Sequence, residues 1–540
     1  MLAPMITRPA NGNFTAMVER NACECPDKLA LVMPSAWDET GTTEAVQLTY
    51  AQLWRRVRQF MAGLQANGIG EGDRVLLAIP LSADVYALTL ALLASGAAGI
   101  LVDASMGRKK VKQAVAASRA KAVVSVNALL KYRWFVGAIR RIPLKFSADK
   151  AGWGVRSIDQ LTLDPDGAGA TIPRDTQDAA LITFTSGSTG QPKGADRTHG
   201  LLIEQVMTLP VMYTVEEDHV NFPAFPVASL AGLCLGVTIV LPPMSFARPD
   251  AVNPAAVVNE MRKWDVHNLS GPPSYIQRLA QYVIDHEVDF VPRQLAVGGA
   301  PVSRELCSLL VKAFPNTECI IVYGSTEAEP MGRIDVREVL SRDEQAYPAG
   351  RPAVVATIAL AALPELAPPL DDAGIEPFRV SAGDIGEVIV SGDHVNRRYV
   401  DNDDATRRAK LFEVDGTVWH RTGDLAYEDD EGLMWLVGRH SYAIERDDGL
   451  VHPFPIEIAL NALPQVERSA LVATRRHPRG IVAILATSRQ ADTLEAKRSA
   501  REVLASFGLD DLEVRFVDAM PVDGRHNSKV DRVSMRAQLN

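Results

Sequence analysis

Residues 185–194 read Thr185-Ser186-Gly187-Ser188-Thr189-Gly190-Gln191-Pro192-Lys193-Gly194, straight after the β-branched and aromatic run Ala179-Ala180-Leu181-Ile182-Thr183-Phe184. The run predicts a buried strand, and the ten residues predict a phosphate-cradling turn at its end. Gly187 and Gly190 let the backbone reach φ > 0, so that N–H groups approach phosphate oxygens. Ser186, Ser188 and Thr189 add hydroxyl donors, and Lys193 adds a point charge for the β- and γ-phosphates. Pro192 stiffens the turn beside that lysine. The segment is not an ordinary P-loop, whose lysine follows glycine and precedes Ser or Thr; here the neighbours are Pro192 and Gly194. The competing reading is a Gly/Ser-rich surface loop, but such loops seldom carry Pro-Lys-Gly behind a buried strand.

At 540 residues the chain exceeds a single core, and two to four lobes are expected. It is 47% hydrophobic and 23% charged, with a formal charge of −10, which argues against general nucleic-acid affinity. The first residues show no secretory pattern, so a cytoplasmic location is expected. Cys23, Cys25, Cys234, Cys307 and Cys319 are scattered, which fits neither a disulfide framework nor a zinc site. The apolar stretches 87–102 and 227–241 are short and broken by glycine, so each is read as a buried helix and strand rather than a membrane span.

From about residue 50 helical and strand-like segments alternate. Residues 53–66 read as an amphipathic helix, 74–79 as a strand, 85–94 as a helix and 122–126 as a strand. The alternation recurs over 254–322 and predicts a second parallel sheet covered by helices. From Gly386 the texture becomes short strands and turns at 387–390, 419–420, 425–427 and 433–436, a β-rich subdomain. The last hundred residues suffice for a small α+β domain after a boundary near Gly438. Between Lys131 and Lys150 six basic residues face one acid, Asp149, with Tyr132, Trp134 and Phe135 interleaved. That run reads as a basic helix, either solvated with its aromatics tucked inward or touching a membrane surface or an acidic partner.

Three further segments fit the chemistry of a nucleotide site. Gly298-Gly299-Ala300-Pro301 follows a strand and lets a flat base lie against bare backbone, although such a turn is often purely structural. Tyr323-Gly324-Ser325-Thr326-Glu327 places an aromatic ring, a hydroxyl and a carboxylate at a strand's C-terminal end, where open α/β sheets hold ligands. His420-Arg421-Thr422-Gly423-Asp424 is followed by Gly438-Arg439, and Asn527-Ser528-Lys529-Val530-Asp531-Arg532 lies near the C-terminus.

In order and spacing these segments resemble the superfamily of acyl-CoA synthetases, peptide-synthetase adenylation domains and luciferases, from about Asn11 to Arg536. The resemblance implies an α/β large N-terminal domain over 1–437, built of two parallel-sheet subdomains plus a β-rich subdomain. It also implies a small mobile α+β C-terminal domain over 438–540. It implies activation of a carboxylic acid as an acyl-adenylate with ATP and Mg²⁺. Thr185 to Gly190 and Lys193 would hold phosphate, Gly298 to Pro301 would line the adenine site, and Tyr323 with Gly324 would lie against the base. Thr326 would contact phosphate, Glu327 would ligate Mg²⁺, Asp424 would accept from the ribose hydroxyls, and Arg439, at the family's hinge, would also belong to the nucleotide site. Lys529 is the candidate adenylation lysine, neutralising charge in the transition state, with Lys193, Thr326 and Glu327 as its catalytic partners.

Two places depart from the pattern. The hinge position is Ser441 where relatives place Asp or Lys, and the following loop is Ala443-Ile444-Glu445-Arg446-Asp447-Asp448-Gly449. The segment 221–230 lacks an aromatic-histidine pair and supplies Phe222, Phe225, Val227 and Leu230 as an apolar wall for an acyl chain, a pattern that core packing explains equally well. Together with residues 244–249 these departures resemble the branch of olefin-pathway β-lactone synthetases and fatty acid-CoA ligase-like enzymes. The expected activity is acyl transfer to a thiol, of CoA or an acyl carrier protein, after adenylation of an apolar acid. The alternatives are β-lactone closure by the substrate's own hydroxyl and a nucleotide-binding regulator without catalysis.

Overall fold

Helix Ala83–Ala94 is apolar on every side and every residue from Tyr86 to Ala94 is buried, as a helix clasped between layers must be. It leads into strand Ala98–Val102, so the first apolar stretch is a buried helix and strand. The second divides likewise into helix Pro226–Cys234 and strand Thr238–Val240. Among the described residues no helix is long and apolar enough to cross a membrane. The amphipathic helix begins three residues earlier than its apolar pattern, at Tyr50. Thr49 accepts the Gln52 N–H while the Gln52 side chain accepts the Thr49 N–H, a reciprocal cap.

These elements belong to a computed structural model that describes residues 7–34, 45–102, 106–185, 191–216, 218–244, 251–366, 369–447, 449–486, 493–522 and 529–540. The N-terminal sheet has seven strands in the order Arg156–Ser157, Leu144–Ser147, Ala122–Ser125, Arg74–Ala78, Ala98–Val102, Ala179–Thr185 and Lys193–Thr198. All neighbours are parallel except the last pair, which is antiparallel with Thr185 opposite Lys193.

The second sheet has fourteen strands. Six are parallel, from Leu29–Pro34 through Gln294–Gly298 to Glu318–Ser325. There the chain turns at Thr326-Glu327 and runs back antiparallel as Ala328–Asp335, and the pairing continues through Tyr347–Pro352, Met434–Arg439, Val418–Glu428 and Gly386–Ser391. The β-rich part is thus continuous with the second parallel sheet. The two short strands expected at 419–420 and 425–427 are one strand, Val418–Glu428, because Gly423 at φ +74° carries the chain through a kink without ending the pairing.

Strand Met434–Arg439 still pairs in this sheet up to Asp424↔Arg439, one residue past the expected boundary. Beyond it lie a hairpin of Ile444–Arg446 and Gly449–Val451, helix Pro453–Asn461, a three-stranded sheet and helices Thr493–Ser506 and Arg532–Leu539. The loop expected at 443–449 is therefore largely that hairpin. The buried pair Arg532–Glu457, bonded through both carboxylate oxygens at 2.8 and 2.7 Å, ties the last helix to Pro453–Asn461.

The basic run does not form the expected helix. It breaks into a 3₁₀ turn Lys131–Trp134, a short helix Gly137–Arg141 and strand Leu144–Ser147. Pro143 disfavours helix at Ile142, which leaves the helix in extended backbone. The aromatics are not tucked inward either: Phe135 is 85% exposed, and Tyr132 and Trp134 are also exposed.

His199 opens the helix that follows Lys193–Thr198 and is fully buried, its Nδ1 accepting the Phe14 N–H at 3.1 Å. Burial pushes its pKa down to about 4, with Arg174 acting in the same direction. The folded ring stays neutral while the unfolded chain takes up a proton below about pH 6.5, so this group costs stability as pH falls through 6.5 toward 4. His199→Asn offers a carbonyl acceptor near the Nδ1 position and no titrating proton. Its melting temperature should fall less steeply than the parent's across that window in a thermal-denaturation series, and parallel slopes would contradict the assignment.

Candidate active site

The nucleotide-facing motifs converge because parallel pairing sets their strands side by side. Gly298 lies opposite Val322, and a Cβ on Gly298 would stand 2.6 Å from the Val322 carbonyl oxygen, a contact no side chain tolerates. Gly299 then takes φ +78°, which turns the chain off the sheet and leaves its backbone exposed. One strand over, the Tyr323 hydroxyl donates to Asp424 Oδ2 at 2.9 Å, and Arg439 Nε bonds Asp424 Oδ1 at 2.7 Å. Burial raises the Tyr323 pKa well above its usual value, with the Asp424 charge adding to the shift, while that same carboxylate holds Arg439 firmly protonated. Asp424 is therefore an acceptor fixed from two sides.

Its own strand is anchored from below. Arg421 bonds Glu387 Oε2 through Nε at 2.9 Å and Nη2 at 2.6 Å, and Glu387 Oε1 accepts the Gly423 N–H at 3.1 Å. Both side chains of this ion pair are almost fully buried.

Lys193 and Glu327, expected at the phosphates, are joined through Tyr399, which no motif had singled out. Its hydroxyl donates to Glu327 Oε1 at 2.9 Å, and the Lys193 ammonium lies 5.4 Å from its ring centroid. Lys410, 2% exposed, faces the same ring at 6.0 Å and donates to Asn396 Oδ1, while the Asn396 N–H donates to the Glu327 carbonyl at 2.8 Å. Burial pushes the Lys410 pKa down to about 7, and the Glu327 charge opposes that shift. Lys193 is lowered by burial and supported by Glu327 in the same way. Beside it opens a cavity of about 360 Å³ lined by Gln191, Lys193, Asn402, Asp404, Ala405 and Arg408. Gly194 is closely packed: a Cβ there would lie 3.1 Å from both Ile182 and Phe184, so those side chains would have to shift.

Lys193 lines that cavity together with Arg408 and reaches the ring of Tyr399, whose hydroxyl bonds Glu327, a combination of cation and half-buried carboxylate that suits a polyphosphate with a hard divalent ion. Glu327 would supply one oxygen ligand, as Mg²⁺ sites beside phosphates use. The neighbouring Ser325 hydroxyl is buried without a partner among the described residues, a polar atom the protein itself leaves unsatisfied. Thr326 is half-buried in the same hairpin turn, and Gly324 is half-buried in the strand before it.

The other expected residues fall as follows. Thr185 ends its strand opposite Lys193; Ser186, Gly187, Ser188, Thr189 and Gly190 lie outside the described residues. Ala300 and Pro301 are half-buried beyond Gly299. The acyl wall does not form as one surface: Phe222 is packed in the core that surrounds Leu269, and Leu230 in the separate core around Leu233, so both are spent on packing. Phe225 and Val227 stay half-buried; residues 245–249 lie outside the described part. Ser441 is exposed, its carbonyl accepting from Arg536 at 3.1 Å. Lys529 is exposed, next to the bridge between Val530 and Val522, and Ser528 is outside the described residues. Tyr399 had one legible sign, an aromatic beside basic residues ahead of the Asn402-capped helix Asp403–Ala409. Lys410 had none, because what sets it in the site is its placement near Glu327, far away in sequence.

Tyr399→Phe removes a hydrogen bond to a charged group, worth about 1.5–3 kcal/mol. ATP–pyrophosphate exchange at limiting Mg²⁺ should fall about ten- to a hundredfold, and parent-like exchange would remove Tyr399 from the site. Glu387→Gln leaves Arg421 buried without its counter-charge and should cost about 3–5 kcal/mol in urea denaturation. A change under about 0.5 kcal/mol would show that the pair does not anchor the strand.

Comparison with known proteins agrees with this geometry. The profile of the AMP-binding enzyme family matches residues 18–400. Olefin beta-lactone synthetases from Xanthomonas campestris pv. campestris and Stenotrophomonas maltophilia are each 30% identical, covering 96% and 98% of this chain and 96% and 97% of theirs. A feruloyl-CoA synthase from Amycolatopsis sp is 28% identical over 88% of the chain and 91% of its own. The amide bond synthetase McbA from Marinactinospora thermotolerans superposes with a TM-score of 0.79 at 20% identity, covering 98% of this chain and 99% of its own. The chain belongs to the AMP-binding enzyme family and is an AMP-forming, acid-activating ligase.

Proposed function

We propose that the protein adenylates an apolar β-hydroxy carboxylic acid with ATP and Mg²⁺ and then closes it to a β-lactone with release of AMP. The observation that carries the reading is full-length 30% identity to two olefin beta-lactone synthetases. Ser441 at the hinge, where many relatives place Asp or Lys, is a departure that resembles the same branch.

In the first step the substrate carboxylate attacks the α-phosphorus, the acyl C–O–P linkage forms and pyrophosphate leaves. Lys193 neutralises the outer phosphates, Thr326 donates to phosphate, and Asp424, fixed by Tyr323 and Arg439, accepts from the ribose hydroxyls. Gly298, Gly299, Ala300 and Pro301 leave bare backbone for the base. Glu327, steadied by Tyr399, holds the divalent ion, which supplies charge neutralisation at the phosphates. Lys529 reaches the α-phosphate from the small domain when that domain is closed on the large one, and rotation about Ser441 then clears it. In the second step the β-hydroxyl oxygen attacks the acyl carbon, the ring C–O bond forms, the bond to AMP breaks and the hydroxyl proton passes to solvent. Phe225 and Val227, the half-buried members of the apolar set, face the acyl chain.

A second reading, transfer to the thiol of CoA or of an acyl carrier protein, has the feruloyl-CoA synthase similarity in its favour. AMP release from fatty, β-hydroxy and aryl acids, with and without CoA, separates the two. Sustained CoA-independent turnover confined to β-hydroxy acids is expected, and turnover that requires CoA would replace the lactone reading with the thiol one. Lys529→Ala should retain ATP binding while adenylation falls by about two orders of magnitude or more. Unchanged adenylation would remove Lys529 from the mechanism.

A further inference from the structure

The seven-stranded sheet carries a surface that nothing in the adenylation chemistry uses. Between residues 106 and 156 the chain has thirteen Lys and Arg and a single acid, Asp149, a charge of +12 within a protein of −10. Asp149 is exposed but hydrogen-bonded, its Oδ1 accepting from the Asn127 N–H at 2.8 Å and the Ser147 hydroxyl at 2.5 Å. Strands Ala122–Ser125 and Leu144–Ser147 are parallel neighbours, so the segments leaving their C-terminal ends lie side by side. From the first come Tyr132, Trp134 and Phe135, and from the second Trp153, 82% exposed. The Trp134 and Trp153 rings stack with centroids 5.7 Å apart at 18°.

This presentation is held from beneath. Arg133, 8% exposed, donates to the Leu130 carbonyl at 2.9 Å and the Trp153 carbonyl at 2.5 Å, with its guanidinium 5.0 Å from the Trp134 ring. The buried arginine therefore ties both aromatic segments together and aims their rings away from the core. Lys131, Arg140, Arg141 and Lys150 are exposed around them, and helix Arg108–Ala117, which packs on Gly137–Arg141, adds exposed Lys109 and Lys112.

We propose that this face docks on an anionic lipid bilayer, with Trp134, Phe135 and Trp153 entering the headgroup region and the surrounding lysines and arginines meeting lipid phosphates. Exposed tryptophans within a basic ring match a bilayer interface, which accepts aromatic rings and attracts clustered Lys and Arg. The lysine content fits lipid better than protein, since lysine is depleted in protein–protein interfaces. The inference stands apart from the identity of the acid.

The full-length protein is sedimented with vesicles of phosphatidylcholine alone or of phosphatidylcholine with phosphatidylglycerol, while tryptophan emission is recorded. Binding is expected only with phosphatidylglycerol, reversed by high salt and accompanied by a blue shift. Trp134→Ser/Phe135→Ser/Trp153→Ser should lose binding by about tenfold or more. Arg140→Glu/Arg141→Glu/Lys150→Glu, which leaves the aromatics intact, should do the same while soluble-substrate adenylation and the circular-dichroism spectrum stay unchanged. Recovery in the supernatant with anionic vesicles at low salt would overturn the proposal, as would equal sedimentation of the charge-reversed variant. Self-association without vesicles that both variants abolish would assign the face to a second copy instead.

Discussion

The hydrogen bond from Tyr323 to Asp424 joins residues 101 apart in sequence, one on the last parallel strand and one deep in the antiparallel half of the same sheet. It exists because strand Glu318–Ser325 does not end in a loop. The chain folds back at Thr326-Glu327 and keeps pairing, so the antiparallel strands are built outward from the edge where parallel sheets present their ligand sites. A tyrosine set by one topology thus meets a carboxylate set by the other. The buried Arg421–Glu387 pair beneath Asp424 makes the placement rigid.

The glycine-rich and carboxylate-bearing motifs were legible because their requirements are local. Gly298 has no room for a side chain, Gly299 needs positive φ, and the alternation of helix and strand announces parallel sheets. Tyr399 and Lys410 were not legible, because their roles arise from a meeting with Glu327, which lies far from both in sequence. The apolar run 222–230 shows the opposite failure. Its hydrophobicity was read as one wall, yet the chain passes from strand to helix between Phe222 and Leu230 and delivers them to different cores. The 131–150 run misled because composition suggests a helix while Pro143 and the pull of the sheet edge impose a turn and a strand.

The C-terminal segment around Lys529 is exposed, but its continuation is firmly held. Asp531 caps helix Arg532–Leu539 by accepting the Val533 and Ser534 N–H groups, and Arg532 sinks between Glu457 and the Leu471 carbonyl with its guanidinium 4.5 Å from the Tyr442 ring. An exposed lysine two residues before such an anchor is carried by whatever moves the anchor. Tyr442 itself belongs to the turn that follows Arg439.

The pairing of Asp424 with Arg439 has one more consequence. The carboxylate proposed to meet the nucleotide and the arginine that clamps it occupy the final rung of the large sheet, immediately before the chain departs toward the last hundred residues. Thermodynamic reciprocity then applies: any free energy by which bound nucleotide favours one exit direction of the chain is returned, in equal amount, as tighter or weaker hold on the nucleotide when the C-terminal part is displaced. On the proposed reading, ligand affinity and the direction in which the chain leaves the sheet would be two readings of a single coupled equilibrium, written into one ladder position.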